Sequence, residues 1–165
     1  MVTLISLSEM IDAAVGAEDT ARAVYLGFVR KFSSVPEVSA FWQTMADDES
    51  DHARILSSLY VHIIEADRHA PIDARMAEKA RALGKLNAAT LLNSVKNLDD
   101  AYQVAYDIES SEINTVFNFL TIRFLTQDES YDIISATIDR HLLRLAQFSR
   151  KFGSVEECCR VAASA

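Results

Sequence analysis

Four long stripes of apolar residues, each repeating with the period of an α-helix, constrain this chain more than any other feature. The first runs through Ile11, Ala14, Glu18, Ala21, Tyr25, Phe28 and Phe32. The second runs through Val38, Phe41, Met45, Glu49, His52, Leu56, Leu59 and Ile63. The third is Leu98, Ala101, Ala105, Ile108 or Glu109, Glu112, Val116, Phe119 and Arg123. The fourth is Tyr131, Ile134, Ile138, His141, Leu145, Phe148 and Phe152. Each segment spans about 22 to 30 residues, a helix of roughly 33 to 45 Å. Helices striped in this way bury the stripe against one another. With two prolines and four glycines in the chain, there is little material for a turn-rich β fold.

The stripes also suggest how the helices connect. Ser8 can cap the first helix, which should stop around Ser33-Ser34-Val35-Pro36, because proline disfavours helical geometry in the residue before it. Pro36 can open the second helix, and Gly153 is a natural end for the fourth. The first two helices are joined by a few residues, and the last two turn around Thr126-Gln127-Asp128-Glu129. Short turns make antiparallel neighbours. The middle connection, from about Asp67 to Lys96, contains a helix-like piece from Ile72 to Leu83 and then Gly84. The expected fold is all-α: two antiparallel helix pairs joined by a long crossover that carries a short helix, the ferritin-like way to close a four-helix bundle. Residues 1–153 form the expected bundle and 154–165 a tail without a readable role.

The 165 residues suggest one domain. Half are hydrophobic and 24% are charged, which argues against a mostly disordered chain. The formal charge of -8 argues against a broad phosphate-binding surface, so no nucleic-acid partner is expected. No apolar run approaches the roughly 20 residues that span a bilayer. The first residues, Met1 to Leu7, lack a basic leader and do not read as a secretory signal. Cys158 and Cys159 are adjacent, a poor geometry for a disulfide, so free thiols in a reducing cytosol are expected.

Polar residues inside the stripes carry the functional signal. Glu18 lies on the same face as Ile11, Ala14, Ala21 and Tyr25, and a buried carboxylate is costly unless paired or bound to a cation. Glu49 and His52 are three residues apart and project from one face, the spacing by which a bundle presents a carboxylate and an imidazole to metal. Glu109 and Glu112 repeat that spacing, and His141 adds an imidazole from the last helix. Each of these residues alone has an ordinary structural account, and together they could form a buried ion-pair network including Arg22 or Arg123. As a set drawn from all four helices, they suit iron, manganese or zinc. Tyr25 and Tyr102 read as core aromatics within reach of the carboxylates.

These residues resemble the rubrerythrin-like branch of the ferritin-like superfamily. The resemblance is carried by Gly16-Ala17-Glu18-Asp19-Thr20-Ala21-Arg22, by Met45 to Ala53 around Glu49-Ser50-Asp51-His52, by Glu109-Ser110-Ser111-Glu112 and by His141-Leu142-Leu143-Arg144-Leu145. It implies two iron ions held by Glu18, Glu49, His52, Glu109, Glu112 and His141, with Glu49 bridging and one of Glu109 and Glu112 able to swing between metals. It implies reduction of hydrogen peroxide, or oxidation of ferrous ion by dioxygen, in a cytoplasmic homodimer. The cysteine-rich iron module of many rubrerythrins is not found in this sequence, so a peroxidase would draw electrons from a separate donor. The pattern also departs from the family at Ile138, where a Glu is expected three residues before His141. Asp139 is about 100° around the helix and cannot stand in. That departure motivates the alternative of a catalytically silent bundle that binds one metal or none and acts as an interaction protein.

Overall fold

The structure, a computed structural model, describes residues 5–125 and 127–152, and the side chains within them except at 66 and 127–139. Its helices are α1 (Leu7–Lys31), α2 (Pro36–His62), α3 (Glu65–Arg68), α4 (Ala74–Leu83), α5 (Ala88–Ser94), α6 (Leu98–Glu109), α7 (Glu112–Phe124) and α8 (Gln127–Phe152). The architecture is an all-α bundle with extra helices in its crossover, as the stripes predict. None of the described helices is long and apolar enough to cross a membrane.

The helix ends follow from local chemistry. The cap of α1 is Ser6, not Ser8, because Glu9 stands three residues after Ser6. The Ser6 hydroxyl accepts from the Glu9 amide at 3.3 Å, and the Glu9 carboxylate accepts from the Ser6 amide at 2.7 Å. Such a reciprocal box satisfies two amides that the first turn cannot use. Pro36 occupies the first turn of α2, where its missing N–H costs nothing. Asp73 caps α4 by accepting from the amides of Arg75 and Met76. The cap of α5 is Asn87. The expected single helix in the crossover is thus three short ones.

The third stripe is also two helices, not one. Ser110 and Ser111 interrupt it between Glu109 and Glu112. The Ser110 amide donates to the Tyr106 carbonyl at 2.9 Å, and Ser111 caps α7 by accepting from the Ile113 amide at 3.3 Å. The Asn114 side-chain amide donates to the Glu109 carbonyl, one of those the end of α6 leaves unpaired.

Packing is densest between α1 and α2, while α6 and α7 pack on α8 and α4 lies against α1 and α7. The crossover is tied to the start of α1 by a short bridge, in which Leu7 N–H donates to the Ala70 carbonyl and Ile72 N–H to the Ile5 carbonyl. Gly27 lets α5 come close to α1, since a Cβ there would lie 2.3 Å from the Leu92 side chain. One end of the core is aromatic. Trp42 is fully buried, stacks on Tyr25 at 5.9 Å and meets Phe28 and Phe148 edge-on. The Ser154–Ala165 tail, including Cys158 and Cys159, lies outside the described residues, as do Gly153 and the side chain of Ile138.

Candidate metal centre

Glu18, Glu49, His52, Glu109 and His141 are each no more than 6% exposed, although their side chains carry or can carry charge. They come from α1, α2, α6 and α8. Periodicity explains why: each lies on the apolar stripe of its own helix, so packing the stripes brings the polar atoms together.

Glu49 is the middle of the cluster. One of its oxygens lies 2.8 Å from His52 Nδ1, and the other lies 3.5 Å from His141 Nδ1. Glu18 approaches His52 Nδ1 at 3.8 Å, and Glu109 approaches His141 Nδ1 at 3.1 Å. Both imidazoles therefore turn Nδ1 towards the carboxylates, with ring centres 5.1 Å apart. Glu49, His52 and His141 offer ligand atoms that all lie within 4.8 Å of one another.

The surroundings orient these groups. His141 Nε2 lies 3.1 Å from Asp48 Oδ2, and Asp48 is ion-paired with Arg144. A carboxylate on the far nitrogen fixes the tautomer and ring angle of an imidazole. Tyr25 donates its hydroxyl to Glu109 at 2.6 Å. Phe117 packs its ring 5.1 Å from that of His52.

Electrostatics shows a site with too much negative charge for its own cations. Burial, and then the neighbouring Glu109 and Glu18 carboxylates, push Glu49 well above the ordinary carboxyl range. Burial acts the same way on Glu109, but hydrogen bonds from His141 and Tyr25 outweigh it and hold Glu109 low. Burial would depress His141, yet its bonds to Asp48 and Glu109 and the charges of Glu109 and Glu49 raise it to about 10. Burial and the carboxylates around it push Tyr25 well above the usual phenol range. Burial would likewise raise Asp48, but His141 and Arg144 bring it below its ordinary value. Protons thus stand in for a cation, on His141 above all. Oxygen and imidazole donors of this kind fit iron, manganese or zinc, and a divalent ion would take the place of those protons.

Glu112 is the predicted site residue that the structure does not bring to the cluster. It opens α7, its side chain is 41% exposed, and it pairs with Lys79 of α4. The break at Ser110-Ser111 takes it off the face it would share with Glu109 in a continuous helix. Arg22 and Arg123 are exposed, and Arg123 stacks over Phe119 and Phe124. Among the described residues, the cation that reaches the cluster, through Asp48, is instead Arg144. Sequence reasoning gave no role to Asp48 or Arg144. The available signals were an acid directly before Glu49 and a base three residues after His141.

Comparison with known families gives a match to the rubrerythrin model over residues 9–130. Compared with curated proteins and with solved structures, the chain has no match. The family match covers Glu18, Glu49, His52, Glu109 and Glu112 and stops before Ile138 and His141. It takes in most of the chain and three of the four helices that build the cluster, α1, α2 and α6, and the chain belongs to the rubrerythrin family.

Proposed function

We propose that this protein is a non-haem iron oxidoreductase that reduces hydrogen peroxide, with oxidation of ferrous ion by dioxygen as the close variant. The observation that carries the reading is the buried Glu49, His52 and His141 triad, whose ligand atoms lie within 4.8 Å of one another. In this reading Glu49, His52 and His141 would hold the iron, with Glu18 and Glu109 as the flanking carboxylates. Iron, when bound, supplies the electrons for cleavage of the peroxide O–O bond. The chain's own residues do the rest. Asp48 and Arg144 hold His141 with Nδ1 facing inward. Tyr25 holds one oxygen of Glu109, leaving the other towards His141. Phe117 and the aromatic end of the core limit water. A separate electron donor and a homodimeric, cytoplasmic protein complete the proposal.

The test is iron per chain after anaerobic incubation with ferrous ion and removal of excess. Wild-type protein should retain at least one ion per chain and consume peroxide when supplied with a reductant. Glu49→Gln should retain none while remaining folded by circular dichroism. Equal iron in that variant and the wild type would sink the assignment.

One observation favours a second reading. Glu112 faces Lys79 instead of the cluster, which suits a chain that holds one ion or none and acts as an interaction protein. Folded wild-type protein without retained iron would select it.

A further inference from the structure

Glu109 and Glu112 are three residues apart, and in an unbroken helix both would face the cluster. The break separates them: Glu109 is buried at 5% exposure, while Glu112 is held outside by Lys79. The break contains neither proline nor glycine. Serine is only mildly unfavourable in a helix, so the same residues can also run as one helix. The broken form is held by capping bonds at Ser110, Ser111 and Asn114 and by the Lys79 pair. Glu112 also gains from its place in the first turn of α7, where the helix dipole favours an anion.

Lys79 is well placed to act on this choice. It sits on α4, which buries Met76, Ala77, Ala80 and Leu83 and packs against α1 and α7. Its side chain is itself only 19% exposed. Arg75, one turn earlier, adds a second positive charge near Glu112. Glu112 therefore meets either an ammonium fixed on the crossover or, if α6 and α7 join, the buried cluster. A divalent ion beside Glu18 and Glu109 would compete with Lys79 for the same carboxylate.

We propose that Lys79 is a latch that sets how many ions the centre holds. With the latch closed, the Glu49, His52 and His141 triad takes one ion. Binding of a second ion requires Glu112 to leave Lys79 and the two helix segments to join. This deepens the function proposed above and rests on the triad's binding a metal.

Cobalt(II) titration of the full chain, followed by calorimetry and by the visible bands of the bound ion, tests it. The wild type should bind one ion tightly and a second more weakly. Lys79→Gln should tighten the second step roughly fivefold, the most that a pair of this kind is expected to be worth, and leave the first unchanged. Lys79→Arg should behave as the wild type. Glu112→Gln should lose the second step alone. Hydrogen exchange at residues 110–113 should slow when the second ion binds and not when the first does. An unchanged second step in Lys79→Gln, or its survival in Glu112→Gln, overturns the latch while leaving the triad intact. Should Lys79→Gln fail to fold, Glu112→Gln and the exchange experiment still decide. Absence of the first step in the wild type would instead remove the proposed function itself.

Discussion

Asp48 holds the charge state of His141 in the metal-free protein. Replacing it with asparagine removes the carboxylate from Nε2 and should weaken binding of the first metal ion about 10- to 100-fold, read by competition with a chelator. The same substitution tests a pH dependence. His141 is raised from 6.5 to about 10 in the fold, so its contribution to stability is complete below pH 6.5 and disappears as pH rises through about 10. Glu49, also raised, acts in the same direction. Thermal melts of metal-free protein should therefore show a falling midpoint between pH 6.5 and 10, and Asp48→Asn should flatten that fall. Metal affinity should run the other way. Binding of the first ion should release protons near neutral pH, that of His141 among them. Calorimetry in buffers of different ionisation enthalpy counts them, and zero release would show that the triad is not the binding site.

At the scale of the helices, close approach and end chemistry decide what the stripes leave open. Gly27→Ala would push its new methyl into the half-buried Leu92 side chain, and the gain of about 1 kcal/mol in helix propensity offsets part of that clash, so urea unfolding should show a loss of at most about 2 kcal/mol. Adding Leu92→Ala should recover the part of that loss due to the clash. The stripes were legible because an α-helix repeats its apolar face over many turns, and α1 and α2 lie close to where their stripes place them. The ferritin-like connectivity was legible for the same reason, since two short turns and one long crossover leave little choice of pairing. The break between Glu109 and Glu112 was not legible. Two serines carry no strong stop signal, and the spacing of three fits an unbroken helix equally well. What selects the break involves Lys79, 33 residues away, and such a contact has no local signature. Ser6 as the cap of α1 was legible in principle, because serine followed three residues later by glutamate is a capping pattern. Five of the six candidate residues are buried, as expected of residues that interrupt an apolar stripe. Asp48 and Arg144 lie beside their stripes, and only the folded arrangement shows that they meet.

For the molecule as a whole, one core serves both stability and the centre. Trp42 touches helices α1 and α8 through Tyr25, Phe28 and Phe148. Trp42→Ala should cost about 3 to 5 kcal/mol, a loss to be read in thermal or denaturant unfolding. The stack that makes Trp42 costly to remove also makes it informative. It is the single tryptophan of the chain, and Tyr25 links it to Glu109. Its emission should be blue because its ring meets no water, and it should dim as an ion with partly filled d orbitals enters and drains the excited state. The protein thus carries its own optical gauge of occupancy, readable in dilute solution without a label.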